Sequence, residues 1–259
     1  MNDFKERAIA LSGGASGIGA ATCEALAASG AAIAVLDIDG DAAARLCEEL
    51  ISTGARDAVA FAVDVCDERE VEAALATAAE RFGGLHGLVT SAGVFRGEDA
   101  RPLWEATSET FRAVLEINLI GTFHAIRHAL PHLRASTAAG GPAGSIVTVA
   151  STAGLRGHGF GAGYTASKGG VISLTRLLAK QCAAEGIRAN CVCPGLTDTP
   201  MQGGALENPE FEAKIAKSIP MGRAAQPGEI ASLIVHLLSG AASYVSGQII
   251  AADGAVTVV

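Results

Sequence analysis

The chain is 259 residues long, 49% apolar, and carries a net charge of −8. It is long enough for one domain with a sizeable core, and too apolar to be disordered. Its acidity argues against nucleic acid or an anionic membrane surface as the main partner. No run of about 18 apolar residues is present to span a bilayer.

Met1-Asn-Asp-Phe-Lys-Glu-Arg7 has mixed charge and does not match a secretory signal. The six cysteines (Cys23, Cys47, Cys66, Cys182, Cys191 and Cys193) are scattered through element-like segments. That pattern reads as small core residues in a reducing cytoplasm rather than a disulfide framework. Arg7–Ser12 is a short apolar strand running into Gly13-Gly-Ala-Ser-Gly-Ile-Gly19, and a helical pattern follows from Ala20 to about Ser29. Strand, glycine loop and helix together form an arrangement in which backbone N–H groups at a helix start hold a pyrophosphate. Gly13, Gly17 and Gly19 would allow a tight turn, close approach of the phosphates and close helix packing. By itself the motif also fits a plain turn.

A second buried strand, Ala31–Asp37, ends in a carboxylate eighteen residues after Gly19, where an acid would reach adenosine ribose hydroxyls. Asp37 could equally be a loop or cap residue, since Asp39 and Asp41 follow. A carboxylate there also disfavours a 2′-phosphate, because like charges about 4 Å apart repel by up to roughly 4 kcal/mol at an effective dielectric of 20. No cation lies between Ile38 and Ala44 to offset this, and Ser16 rather than a cation precedes Gly17. Both features favour NAD over NADP.

Asp41–Thr53 reads as a helix and Ala58–Val63 as a strand ending at Asp64. Asp67 with Glu70 resembles a helix cap before an apolar face of Val71, Leu75, Ala78 and Phe82, which Gly83-Gly84 stops. Gly87–Thr90 is a fourth strand. A helical pair is expected around Trp104 and over Glu109–Arg134, with Asn118 inside the second, and Ala135–Gly144 reads as a surface loop. The fifth strand ends at Ser151, Gly163–Ala184 is a long helix, and Ile187–Cys193 is a sixth strand closed by Pro194-Gly195. Residues 196–223 form a long mixed segment, a candidate substrate lid. Pro227 opens the last helix and Gln248–Ala252 is the last strand. Strands alternating with helices throughout argue for a parallel sheet covered on both faces. One domain over residues 1–259 is expected.

The stretch richest in chemistry runs from Ser151 to Lys168. A hydroxyl ends a strand, a glycine-rich bend follows, and Tyr164 and Lys168 sit four residues apart on one helix face. They could be an ordinary aromatic and lysine, or, with Ser151, an acid/base device. Free ionisation near neutrality would take the tyrosine pKa down by about three from its reference value, or roughly 4 kcal/mol. A nearby ammonium and a cationic cofactor ring in a partly dry site can supply that.

Read together, these residues resemble the short-chain dehydrogenase/reductase family over about Arg7 to Gly254. Ser12-Gly-Gly-Ala-Ser-Gly-Ile-Gly19 matches its glycine loop, with Ser12 where Thr is usual. Asn118, Ser151, Tyr164 and Lys168 match its catalytic tetrad, including the twelve residues between Ser151 and Tyr164. Pro194-Gly195 with Thr199 matches its segment beside the nicotinamide. Met221-Gly-Arg223, Pro227-Gly-Glu-Ile-Ala231 and Tyr244-Val-Ser-Gly-Gln248 match its C-terminal signatures.

The resemblance implies a doubly wound α/β (Rossmann) fold of seven parallel strands, with NAD across the strand ends. It also implies roles. Tyr164 exchanges the substrate proton, Lys168 lowers the tyrosine pKa and binds ribose, and Ser151 holds the substrate oxygen. Asn118 interrupts its helix and holds a relay water. Gly13, Ser16, Gly17, Ile18 and Gly19 form the cofactor-binding glycine loop, Asp37 holds the adenosine ribose, and Ile38 beside it also binds cofactor. Asp64 and Val65 bracket adenine, and Ala92 and Gly93 line the cleft. Pro194 and Gly195 lie beside the nicotinamide, and Thr199 and the backbone near Thr197 hold the carboxamide. A homotetramer, built on the two long helices and the final strand, is expected. So is a small-molecule alcohol or ketone substrate.

One departure stands out: Thr90-Ser91-Ala-Gly93 replaces the family's Asn-Asn-Ala-Gly, and hydroxyls offer fewer donors than amides. His124, His128 and His132 lie at i, i+4, i+8, a spacing able to bind metal, but are read as a packed or interface stripe; no metal is expected. His158 is placed facing substrate. Leu196, Met201, Leu206, Phe211, Met221, Leu155 and Phe160 would either line an apolar pocket or pack the lid. The competing functions are an NADP(H)-dependent ketoreductase, such as a 3-oxoacyl-carrier-protein reductase, and a non-catalytic nucleotide-binding regulator. An enoyl reductase of the superfamily normally has a wider Tyr-to-Lys gap.

Overall fold

The computed structural model describes residues 4–157 and 161–258; His158 and Phe160, both named above, lie outside the described residues. Seven parallel strands run in the order β3-β2-β1-β4-β5-β6-β7. They are β1 (Ala8–Ser12), β2 (Ala32–Asp37), β3 (Asp57–Ala62), β4 (Gly87–Thr90), β5 (Ser145–Val149), β6 (Arg188–Pro194) and β7 (Ile249–Ala252). The chain winds outward from β1 to β3, then returns to lay β4 on the other side of β1. That reversal opens a crevice between the carboxyl ends of β1 and β4.

Period-two alternation sends side chains of each strand to opposite faces. From β1, Ile9 and Leu11 enter one core with Leu26, Leu50, Ile234 and Leu238. Ala8 and Ala10 enter the other with Leu75, Leu133 and Leu178. The first core lies under helices α1 (Gly17–Ala27), α2 (Gly40–Thr53) and α8 (Pro227–Leu238), while α7 (Pro209–Ser218) belongs to the segment between β6 and α8. The second lies under α3 (Glu68–Phe82), α5 (Gly121–Ala138) and α6 (Ala162–Cys182). Both faces are therefore covered, as a parallel sheet requires. Cys191 and Cys193, on alternate β6 positions, are fully buried core residues. No helix among the described residues is long and apolar enough to cross a membrane.

Local chemistry accounts for most boundaries. Asp67 accepts from the Arg69 and Glu70 amides and caps α3, and Gly83 ends it in the left-handed region at φ 74°. Glu70 reaches the Asp64 amide at 2.9 Å rather than the cap residue's own. Pro227 opens α8 inside a capping box of Gln226 and Glu229. Arg188, buried, donates to the Leu237, Leu238 and Ser239 carbonyls at the end of α8.

Four expectations need correction. Trp104 sits in a short 3-10 turn (Leu103–Glu105) and is 84% exposed, so no helix surrounds it. No apolar face exists there to hold one against the core. Glu109–Arg134 is not one helix but α4 (Ser108–Leu115), a π turn (Glu116–Ile120) and α5. The expected loop at 135–144 begins later, because α5 continues through Ala138 before Gly140 adopts φ 83°. The first helix starts at Gly17, with Ser16 extended at its N-cap, rather than at Ala20.

Candidate active site

The glycine loop leads from β1 into α1. Gly13 has φ 66°, and a Cβ there would overlap the Ala92 backbone, so loop and β4 end touch. A Cβ on Gly19 would overlap the Gly13 carbonyl, which ties the helix start to the loop. Gly17, at φ 52°, points towards Thr199, whose Cγ2 would stand 3.2 Å from a Cβ there. Asp37, at the end of β2, is held beside this loop. Its Oδ2 accepts from the Ala15 amide at 2.9 Å and its Oδ1 from the Asp39 amide at 3.1 Å. Each oxygen keeps a lone pair for a further donor.

Ser151 follows β5 in extended conformation, and its Oγ accepts from the Ala153 amide at 3.1 Å. The Tyr164 hydroxyl hydrogen-bonds the Ser151 side chain. Lys168 Nζ donates to the Val149 carbonyl at 3.0 Å and lies 5.7 Å from the Tyr164 ring centroid. Burial pushes the Tyr164 phenol above its usual range, opposed by the Ser151 hydrogen bond. Burial also brings the Lys168 ammonium down from 10.5 to about 8. The depressed phenol implied by the resemblance is thus not produced by the chain's own residues. The ammonium is directed at a carbonyl, and the desolvated phenol stays protonated.

Asn118 is fully buried in the π turn, so its helix is interrupted as the resemblance implied. Its side chain is engaged. Oδ1 accepts from the Val94 amide at 2.8 Å, while Nδ2 donates to the Val94 carbonyl at 3.0 Å and to Ser167 Oγ at 3.1 Å. The amide therefore fastens the loop after β4 to α6. Its main-chain carbonyl, which accepts from Thr122 Oγ1 at 2.8 Å, keeps a second lone pair.

Two residues outside the sequence expectation hold Tyr164. Phe95 packs edge-on against its ring, with centroids 5.6 Å apart. Asp99, 1% exposed, accepts from the Gly163 amide at 2.9 Å and the Tyr164 amide at 2.8 Å. A carboxylate distant in sequence thus caps the helix that carries Tyr164 and Lys168. Local cap patterns could not have found it.

One cleft of about 550 Å³ gathers most of the expected residues. Gly13, Ser16, Gly17, Ile18, Asp37, Ile38, Asp64, Val65, Ala92 and Gly93 line it with Ser151, Tyr164, Lys168, Pro194, Gly195, Thr197 and Thr199. Gly19 and Asn118 stand behind the lining. Leu196, Leu206, Phe211, Met221 and Leu155 do not line it; of the apolar residues named for the pocket, Met201 does. Met221 instead lies against Gly254, to whose carbonyl its amide donates at 3.2 Å. Thr197 pairs with Ala225, which pins both ends of the segment following β6. His124 Nδ1 lies 3.0 Å from the Val65 carbonyl and His128 Nε2 3.0 Å from Glu68. Among the described residues no group of three or more metal-ligating side chains forms.

Thr90 does not replace the missing asparagine. Its Oγ1 is buried with no hydrogen-bond partner among the described residues. The strand end is tied instead by the Ser91 amide to the Ser12 carbonyl at 2.9 Å.

The residues fit a dinucleotide. The glycine loop offers a helix N-terminus for phosphates, and the Asp37 carboxylate waits at the next strand end. Gly93 leaves Lys168 open: a Cβ there would lie 3.4 Å from Nζ. Fold and site together place Ser151, Tyr164 and Lys168 in one cleft shaped for a dinucleotide.

A family profile described as enoyl-(acyl carrier protein) reductase matches residues 13–257. Cis-4-hydroxycyclohexanecarboxylate dehydrogenase of Sinomonas cyclohexanicum is 42% identical, covering 99% of this chain and 98% of the relative. 2,5-Dichloro-2,5-cyclohexadiene-1,4-diol dehydrogenase of Sphingobium indicum is 37% identical over all of both chains. The solved structure of levodione reductase superposes with a TM-score of 0.89 at 33% identity, covering 97% of this chain and 98% of that one. The chain belongs to the short-chain dehydrogenase/reductase family, whose members use a nicotinamide cofactor, and it is an oxidoreductase.

Proposed function

We propose that the chain is an NAD-preferring dehydrogenase of secondary alcohols borne on a ring, Tyr164 being the group that exchanges the substrate proton. The observation that carries it is the meeting of Ser151, Tyr164 and Lys168 in one cleft with Asp37. Two relatives named above are described as dehydrogenases of hydroxylated six-membered rings, which supports the substrate class. The short Tyr164–Lys168 spacing favours carbonyl over enoyl chemistry.

A bound nicotinamide supplies the hydride acceptor or donor. Ser151 Oγ donates to the substrate oxygen and steadies its developing charge. Tyr164, hydrogen-bonded to Ser151 and desolvated, holds its hydroxyl at that same oxygen; in reduction its proton passes to that oxygen, and in oxidation it accepts the alcohol proton as its own leaves by way of Lys168. Lys168, near pKa 8, stores or releases a proton for that exchange and binds ribose hydroxyls opposite Gly93. Water held at the free lone pair of the Asn118 carbonyl passes the proton outward. Asp37 accepts from the adenosine ribose hydroxyls and repels a 2′-phosphate. Gly13, Ser16, Gly17 and Ile18 hold phosphates with their amides. Asp64 and Val65 flank adenine, Pro194 and Gly195 lie beside the nicotinamide, and Thr199 with the backbone near Thr197 holds the carboxamide. Residues 196–223 act as the lid, with Met201 facing the substrate. Six free cysteines suit a cytoplasmic protein, and the family resemblance supports a homotetramer.

Titrating NADH and NADPH into wild type and Asp37→Ala by fluorescence tests the cofactor reading. Tighter NADH binding that erodes in the variant is expected; NADPH preference in wild type would move the reading to a biosynthetic ketoreductase.

A further inference from the structure

Arg96 lines the same cleft as Ser151 and Tyr164. It follows Phe95, which packs on the Tyr164 ring, and Val94, which Asn118 clamps from both its amide and its carbonyl. It therefore stands on the reacting side of the cleft. The two carboxylates lining the cleft, Asp37 and Asp64, stand instead at the ends of β2 and β3. Arg96 and Lys168 are the only cations among the described lining residues. Lys168 is buried and directed at Val149. Arg96 is exposed, and among the described residues no carboxylate pairs with it. Its neighbour Asp99 is turned inward onto the start of α6 and is not available to it. An acidic protein thus presents one unneutralised guanidinium to whatever occupies the cleft beside Tyr164.

We propose that Arg96 is a specificity-determining residue that binds a carboxylate carried by the alcohol substrate, away from the reacting carbinol. The proposal rests on the secondary-alcohol reading above. A guanidinium offers two parallel N–H donors that match a carboxylate, and at the cleft mouth it need not be desolvated before the substrate arrives. The bond fixes the far end of the ring and so sets which hydroxyl meets Ser151 and Tyr164.

The test compares oxidation of 4-hydroxycyclohexanecarboxylate and of neutral 4-methylcyclohexanol at saturating NAD, for wild type, Arg96→Met and Arg96→Lys. Wild type is expected to favour the carboxylate in kcat/KM by about 10- to 100-fold, the range of a hydrogen bond to a charged group. Arg96→Met should lose that preference while keeping its rate on the neutral alcohol, and Arg96→Lys should keep part of it. Equal use of both alcohols by wild type, or an equal loss on both in Arg96→Met, overturns the proposal. Calorimetry with unreactive cyclohexanecarboxylate separates its failure from that of the secondary-alcohol reading. If neither alcohol is oxidised, binding by wild type that Arg96→Met abolishes still supports the anion site. Absence of binding to wild type refutes it.

Discussion

Burial holds the Lys168 ammonium at about 8, against 10.5 for the free side chain. The shift corresponds to roughly 3 kcal/mol of stability forgone while the group stays charged in both states. The folded-state pKa is depressed, so the cost is full below pH 8. It shrinks as pH rises from 8 towards 10.5, where the folded state has already lost its proton and the unfolded chain has not. Lys168→Met is therefore expected to abolish activity yet raise Tm at pH 7, with an advantage that fades by about pH 10. Thermal melts across that range check it, and a pH-independent difference would refute it. The same proton inventory sets the rate. Alcohol oxidation needs a proton acceptor, so its kcat/KM should rise through about pH 8, while ketone reduction falls. Thr90 gives a third expectation. With its hydroxyl buried and unpartnered among the described residues, Thr90→Val should stabilise by about 1 kcal/mol. A loss measured by denaturant titration would mean that the hydroxyl has a partner.

At the scale of the element, α6 matters most, because its first turn carries Tyr164 and its second Lys168. Asp99 closes that turn, and a Cβ on Gly161 would overlap the Asp99 backbone. Asp99→Ala strands two amides and should cost about 1–3 kcal/mol. It should also lower kcat with little change in NAD affinity, since the glycine loop does not touch it. Steady-state kinetics beside a cofactor titration separate these, and an equal loss of NAD binding would count against it. This contact shows where sequence reading stops. The glycine loop, Ser151, Tyr164 and Lys168 were legible because each is set by a local run of residues. Asp99 lies 64 residues from Gly163 in the chain, and no local cap pattern points to it. Apolar periodicity likewise continued through Glu109–Arg134 and showed no break at the π turn; only the family resemblance flagged Asn118. Around Trp104 a helix was expected, yet the residue sits exposed in a short 3-10 turn.

At the scale of the molecule, the alternation of strands and helices foretold a parallel sheet with both faces covered, and the two cores show it. Periodicity says nothing of which strands are neighbours; the family resemblance implied a doubly wound sheet, and the strand order itself is seen in the structure. The order decides function: it puts the glycine loop of β1 against the end of β4 and brings Ser151 after β5 into the same cleft. Phe123 on α5 and Leu177 on α6 are 39% and 52% exposed, as helices that pair between subunits would leave them. Light scattering is expected to give a homotetramer, and a stable monomer would refute it.

The most direct test follows the absorbance of reduced nicotinamide when wild type and Tyr164→Phe meet a cyclic secondary alcohol with NAD or NADP. Wild type is expected to reduce NAD faster than NADP. Tyr164→Phe is expected to lose at least about 100-fold, the lower range of acid/base contributions, with NAD still bound. Turnover that survives the loss of the phenol would contradict the role given to Tyr164.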